Sequence, residues 1–143
     1  MQIKKSFFAV LAGISLLASC ATSQQGRHSN PSELEGDWQV ERLYERDITF
    51  TETTPHITFD LSKGQIYGNL SCNDFNASFS LDSAKQELSI GSVATTRMAC
   101  EDMSTENSLA AALKEVHHFD VTTSGGVANL YAADGREVIR LKR

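Results

Sequence analysis

Apolar and polar residues alternate with a period of two through most of the chain from residue 34 onward. The pattern is clearest in the segments 57–61, 66–70 and 75–81, and it recurs toward the C-terminus. Successive side chains of a β-strand point to opposite faces, so this spacing predicts strands with one face on a core and one in water. Such half-solvated strands are typical of antiparallel sheets.

One later segment departs from this alternation. Leu109, Leu113 and Val116 recur at intervals of four and three residues, and three consecutive alanines lie between the first two. This spacing predicts a single helix that begins near Ser104. Asp102 or Ser104 is the residue expected to cap its N-terminus.

The last two strands are predicted to form a hairpin, because Asp134-Gly135 lies between the apolar runs 127–132 and 137–141. A two-residue Asp-Gly turn requires a positive φ at both residues. The whole pattern predicts a mainly β fold with one helix, in which about eight short antiparallel strands close into a small barrel. Closure is expected because it leaves no unpaired strand edge.

The charge balance argues against one class of function. Lys and Arg number 13 against 18 Asp and Glu, which gives a formal net charge of −5. Nucleic acids are bound by basic surfaces, so no nucleic-acid partner is expected. The 143 residues have the length of a single domain.

Residues 1–19 are predicted to be a bacterial lipoprotein signal peptide. Two lysines precede an apolar stretch that ends in the sequence LASC, whose cysteine is Cys20. The stretch is too short to span a membrane. The sequence LASC resembles the lipobox, in which the cysteine receives fatty acyl chains and becomes the first mature residue.

Residues 20–33 are predicted to be the lipidated cysteine and a flexible tether. Apart from one proline, residues 21–33 contain no apolar residue larger than alanine and cannot build a core. Lipidated Cys20 is the expected membrane contact. Ala21 follows it where an aspartate would favour the inner membrane, so we expect the outer membrane, on its periplasmic side. The folded domain is assigned to residues 34–143.

Three motifs match a known family. They are LEGDWQV at 34–40, GNLSCNDF at 68–75 and TTRMAC at 95–100. With these motifs the chain resembles the META domain, and in particular the HslJ-like lipoproteins of the bacterial envelope, over residues 34–141. The residues singled out as this structural motif are Trp38, Asn73, Phe75, Arg97, Met98 and Glu106.

The resemblance implies a small β-barrel of lipocalin-like topology with one helix, located in the envelope. It associates the protein with heat-shock or envelope-stress conditions and, in some relatives, with resistance to the antibiotic novobiocin. It supplies no reaction and no catalytic residue. Asp74 and Ala77 stand where the family usually has Arg and Gly.

Cys72 and Cys100 are the two cysteines that remain once Cys20 is acylated. The lipobox places them outside the reducing cytosol, where disulfides persist. We predict a structural disulfide between them, worth about 3–4 kcal/mol in the chain-entropy model. A redox-active pair normally has the spacing Cys-x-x-Cys, which the sequence lacks.

The remaining candidates form no recognised catalytic or metal-binding motif. Met98, Cys100 and Met103 are close in sequence to His117 and His118, but their spacing matches no zinc motif. A disulfide would also remove the best ligand for a soft metal. Serine-hydrolase, zinc-protease and phosphate-loop motifs are missing from the sequence. We therefore expect no enzymatic activity, no bound metal and no cofactor.

Arg97 and Glu106 flank the turn into the predicted helix. Glu106 lies at the edge of the apolar stripe of the helix, so we expect it to be partly buried and to need a partner. We predict that the two side chains form an ion pair that ties the cysteine-bearing loop to the helix. The alternative is two solvated charges that contribute almost nothing.

The sequence leaves three functional hypotheses. The first is a non-catalytic, membrane-anchored binding or structural module in the envelope stress response, with an envelope protein, a lipid or the cell wall as partner. The second is a carrier or sensor of a small apolar ligand, which a barrel filled by Phe59, Phe75, Phe79 and Leu81 would exclude. The third is an inhibitor of a periplasmic hydrolase that presents a rigid loop such as 71–76.

Overall fold

The computed structural model describes residues 29–49, 53–122 and 124–143, so the predicted signal peptide and Cys20 lie outside the described residues. Within the described ranges, a 3₁₀ turn (Pro31–Leu34) precedes ten strands and one helix. In chain order these are β1 (Gly36–Leu43), β2 (Arg46–Asp47), β3 (His56–Asp60), β4 (Gln65–Asn69), β5 (Asp74–Asp82), β6 (Glu87–Ile90), β7 (Ala94–Thr95), α1 (Ser104–Glu115), β8 (Val116–Val121), β9 (Val127–Ala132) and β10 (Glu137–Lys142).

Eight of these strands close into an antiparallel barrel. Their order is β1, β3, β4, β5, β6, β8, β9 and β10, and β10 pairs back with β1. The two-residue strands β2 and β7 pair with β1 and β5, respectively. The predicted mainly β barrel with one helix is confirmed, and the helix begins at the predicted Ser104.

Large side chains fill the interior of the barrel. An eight-stranded barrel is just wide enough to be filled by side chains or to hold one small ligand. Ile57, Phe59, Ile66 and Leu130 are each at most 1% exposed, and Phe75 is 3% exposed. The interior is therefore a packed core. Of the side chains expected to exclude an apolar ligand, Phe59 and Phe75 are buried in it, and Phe79 and Leu81 pack against it partly buried.

The 3₁₀ turn closes one end of the barrel. Leu34 is fully buried there, and its carbonyl accepts a hydrogen bond from Trp38 Nε1 at 2.8 Å. The Arg143 guanidinium lies 4.1 Å from the centre of the Trp38 ring and donates to the carbonyls of Glu33 and Glu35. Trp38 therefore acts as a structural anchor that joins the start and the end of the domain.

Helix α1 closes the opposite end. Leu109 and Leu113 are fully buried, which confirms two residues of the predicted apolar face, and Ala112 is buried beside them. The third predicted residue, Val116, is buried as well but begins β8, because α1 ends at Glu115. The Asp102 carboxylate accepts a hydrogen bond from the Ser104 N–H at 2.8 Å. Hydrogen bonds from the Ser104 side chain and backbone lower the pKa of Asp102 below its ordinary value. Asp102, one of the two predicted capping residues, thus satisfies an N–H of the first turn.

The β9–β10 hairpin has a longer turn than predicted. The Gly135 N–H donates to the Ala132 carbonyl at 3.0 Å, so Ala133 and Asp134 are the central residues of the turn. Gly135 has a φ of +87°, whereas the φ of Asp134 is not positive. The hairpin is confirmed, but the predicted positive φ at Asp134 is wrong. The residue with positive φ, Gly135, follows the two central residues of the turn. This hairpin therefore needs a positive φ at one residue, a glycine, rather than at two.

The folded domain begins before the predicted boundary at residue 34. Ser29 is 6% exposed, and its hydroxyl accepts from the Val121 N–H at 2.7 Å and donates to the Val121 carbonyl at 3.3 Å. The Gln86 side-chain amide pairs with the Ser29 backbone at 2.8 and 3.0 Å. Residues 29–33, assigned to the tether by sequence, are part of the domain. Polar residues can be buried when every group finds a partner, and hydropathy alone does not detect this.

Ser29 lies where the barrel is least paired, because β6 and β8 share a single pair, Glu87 with His118. We predict that Ser29→Ala lowers the free energy of unfolding by about 1–3 kcal/mol, since both Val121 groups lose a buried partner. Urea denaturation followed by circular dichroism measures the change. Ser32→Ala, at an exposed residue three positions away, is the control. Equal stability of the two variants would contradict the role of Ser29.

Candidate functional site

Three segments meet beside the start of α1. They are the β4–β5 corner at 70–73, the loop at 96–103 and the first turn of the helix. Asn73 lies at their junction and is only 1% exposed. It belongs to the motif singled out from the sequence, and its contacts define the candidate site.

Every hydrogen-bonding group of Asn73 has a protein partner. Its Nδ2 donates to both carboxylate oxygens of Glu106 at 3.1 and 3.0 Å and to the Met98 carbonyl at 3.2 Å. Its Oδ1 accepts from the Met98 N–H at 2.7 Å and from the Thr96 hydroxyl at 2.8 Å. Its backbone N–H donates to Glu106 at 2.9 Å, and its carbonyl accepts from the Leu70 N–H at 2.8 Å. One side chain thus connects the corner, the loop and the helix.

The predicted ion pair between Arg97 and Glu106 is wrong. Glu106 is 6% exposed, as its place on the apolar stripe indicated, but its partner is Asn73. Arg97 is exposed on the loop. An amide and a backbone N–H satisfy the carboxylate without taking a second charge out of water, which an ion pair at this depth would require. The first turn of α1 also favours negative charge at Glu106.

A disulfide joins the same corner to the same loop. Cys72 and Cys100 are bonded, with their Cα atoms 6.3 Å apart, as the two remaining cysteines predicted. Cys72 is 5% exposed and directly precedes Asn73. The covalent link and the hydrogen bonds of Asn73 therefore restrain the loop at two neighbouring points.

The loop held in this way is itself exposed. Met98 is 58% exposed although both of its backbone groups are bonded to Asn73, and Arg97 and Ala99 are exposed beside it. The loop expected to be presented, 71–76, is buried at residues 71–73, and Asn73 lies beneath the loop 96–103. The most exposed part of the two cysteine-bearing segments is the stretch around Met98.

Two of the predicted motif residues lie away from this corner, and one residue of the corner was not predicted. Trp38 anchors the opposite end of the barrel, and Phe75 belongs to the core. Thr96 was not singled out from the sequence, because nothing in its spacing indicates a hydrogen bond to Asn73, which lies 23 positions earlier. Among the residues that the structure describes, no group of three or more His, Cys, Asp or Glu is placed to hold a metal ion.

Comparison with known proteins agrees with the motifs that surround Asn73. The family model described as the META domain matches residues 32–143. The chain belongs to the META domain family. The match extends two residues beyond each end of the motif-based resemblance and includes most of the 3₁₀ turn. No protein of curated function matches the chain.

Solved structures share the barrel of this META domain. An NMR structure of a protein that is 25% identical has a TM-score of 0.57 and covers 76% of this chain and 89% of its own. An NMR structure of a protein from Burkholderia xenovorans, 18% identical, has a TM-score of 0.62 and covers 100% and 98%. A DUF4847 family protein from Bacteroides vulgatus ATCC 8482, 14% identical, has a TM-score of 0.56 and covers 76% and 92%. The last two likenesses concern the fold alone.

We predict that Asn73→Ala lowers the free energy of unfolding by about 2–4 kcal/mol, since it leaves a buried carboxylate and the Met98 backbone without partners. Amide hydrogen exchange at Met98 should accelerate even with the disulfide intact. Asn76→Ala is the matched control, an exposed asparagine three residues further along in β5, and should change stability by less than about 0.5 kcal/mol. Unchanged exchange at Met98 in Asn73→Ala would show that the disulfide alone orders the loop.

Proposed function

We propose that this META domain protein is a non-catalytic, lipid-anchored binding module of the bacterial outer membrane that acts in the envelope stress response. Its binding surface is the outside of the barrel, and the exposed loop at 96–103 contacts a protein partner. Support for the anchor comes from the sequence LASC before the domain. Support for the stress role is the family resemblance.

The observation that carries the binding proposal is the contrast between the buried brace and the exposed loop. A fully bonded Asn73, a buried Glu106 and a disulfide all hold a loop that contributes little to the core. A loop fixed before binding loses less conformational freedom when it docks. Methionine and arginine, which this loop exposes as Met98 and Arg97, are enriched in protein interfaces.

The alternatives from the sequence differ in support. The packed barrel interior, with residues such as Phe59 at most 1% exposed, disfavours the carrier of a small apolar ligand. A hydrolase inhibitor would use the braced loop at 96–103 rather than 71–76, so it is one identity of the proposed protein partner. The Glu106 carboxylate is occupied by hydrogen bonds at both oxygens, which suits a brace rather than an acid–base catalyst.

The loop is tested by placing a photo-crosslinking amino acid at Met98 in the full chain, expressed in its native bacterium. We expect a discrete crosslinked protein whose yield falls at least severalfold with Asn73→Ala, because the loop is no longer held. The same probe at Lys85, exposed at the opposite end of the barrel, is the control. Equal crosslinking from both positions, or yield unaffected by Asn73→Ala, would refute a braced docking loop.

The anchor is tested separately by Cys20→Ala. We expect the native chain to sediment with outer membranes and the variant to lose this association, because acyl chains hold a protein at the bilayer by about 0.8 kcal/mol for each buried methylene. Subcellular fractionation with immunoblotting measures the distribution. A variant that stays with the outer membrane to the same extent would exclude Cys20 as the anchor.

A further inference from the structure

The outer face of β1, β3, β4 and β5 carries a regular array of side chains remote from the braced loop's exposed residues. Strand register places Asp37, Thr58, Tyr67 and Asn76 side by side in one row, which continues to Ala94 of β7. Directly paired residues have Cβ atoms about 5 Å apart. Strands lie about 4.8 Å apart, so the row extends over about 19 Å.

The rows on either side of this central row are polar as well. Two residues along each strand in either direction, the pairing continues the same outward face. The flanking rows are Asp60, Gln65 and Ser78 on one side and Gln39, His56, Asn69 and Asp74 on the other. The three rows contain three aspartates and no lysine or arginine. This face offers amides, hydroxyls and carboxylates to a ligand and repels anions.

Tyr67 is the one aromatic ring in this array, and it stands at its centre. It is 46% exposed, and among the described residues only Met98 is another large apolar side chain with comparable exposure. The neighbours of Tyr67 on both adjacent strands, Thr58 and Asn76, are polar. The ring therefore forms an isolated apolar platform within a hydrogen-bonding surface.

Surface clefts lie on both sides of Tyr67 along the same row. A cleft of about 650 Å³ is lined by residues that include Asp37, Gln39, His56 and Thr58. A smaller cleft of about 210 Å³ on the other side is lined by residues that include Asp74, Asn76, Ala94 and Thr96. Ala94 ends the row with a small side chain, which leaves the space above it open. The ridge at Tyr67 thus separates two depressions that one extended ligand can occupy together.

Two of the aspartates in the array are held in place by their neighbours. The Thr58 hydroxyl donates to Asp37 Oδ1 at 2.6 Å, and Asn69 Nδ2 donates to Asp74 Oδ1 at 2.9 Å. These contacts orient each carboxylate and leave its second oxygen available to accept. A fixed acceptor beside an exposed amide such as Asn76 matches a ligand hydroxyl, which both donates and accepts.

We propose that this face binds a neutral polysaccharide, with one sugar ring on Tyr67 and its neighbours in the two clefts. The partially negative face of the tyrosine ring attracts the C–H groups on the apolar side of a sugar. Asp74 accepts and Asn76 exchanges hydrogen bonds with sugar hydroxyls. The absence of cations from the three described rows disfavours phosphorylated or otherwise anionic ligands.

The test is co-sedimentation of the full-length lipoprotein, kept in mild detergent, with insoluble chitin and cellulose. Phosphocellulose serves as the matched anionic support. We expect binding to at least one of the neutral polysaccharides and weaker binding to phosphocellulose than to cellulose. Tyr67→Ala should weaken binding at least tenfold, Tyr67→Phe should retain most of it, and Asn76→Ala should weaken it severalfold. Met98→Ser, an equally exposed change on the braced loop, should leave it unchanged.

Several results would overturn the proposal. They are no binding to chitin or cellulose, equal binding by the native chain and Tyr67→Ala, or stronger binding to phosphocellulose. Thermal denaturation of each variant ensures that a loss of binding is not a loss of fold. The proposed protein-binding role of the loop is judged independently, because Tyr67→Ala should still crosslink from Met98 as the native chain does.

Discussion

The hydrogen bonds between Asn73 and Glu106 connect the parts of this domain that the barrel strands alone do not join. Asn73 sits in the tight corner between β4 and β5, Glu106 in the first turn of α1, and the loop between β7 and α1 passes over both. The Asn73 amide and the Glu106 carboxylate would each be costly to bury without a hydrogen-bond partner, and each provides that partner for the other. The position of the helix over the barrel end, and the course of the exposed loop, therefore depend on this contact.

The packed barrel places any binding function on the outside. The two ends are closed, by Leu34 beneath the 3₁₀ turn and by Leu109 and Leu113 of α1, and the interior is filled with large side chains. Among the described residues, the exposed large apolar side chains are Met98 on the braced loop and Tyr67 on the sheet face. They lie on surfaces built differently, one by buried hydrogen bonds beneath a loop and the other by strand register.

Local patterns in the sequence predicted what depends on neighbours in the chain. Alternation predicted the strands, the spacing of Leu109 and Leu113 predicted the helix, and the scarcity of cysteines predicted the disulfide. Burial of Glu106 was also predicted, but its partner was not. Arg97 flanks the same turn as Glu106 in the sequence, whereas Asn73 lies 33 residues away. The role of Ser29 was missed because a serine in a polar stretch carries no sign that its partners are 57 and 92 residues distant.

The sequence by itself determined the strands, the single helix, the cysteine pair and the family, because these follow from local spacing and from motifs. Only the tertiary structure decided which of two cysteine loops is buried and which exposed, and which residue satisfies Glu106. It alone placed Thr58, Tyr67 and Asn76 in one row. The physical reason is that hydrogen-bond partners and cross-strand neighbours are set by strand register and barrel closure. Both bring together residues whose separation along the chain contains no information about their contact.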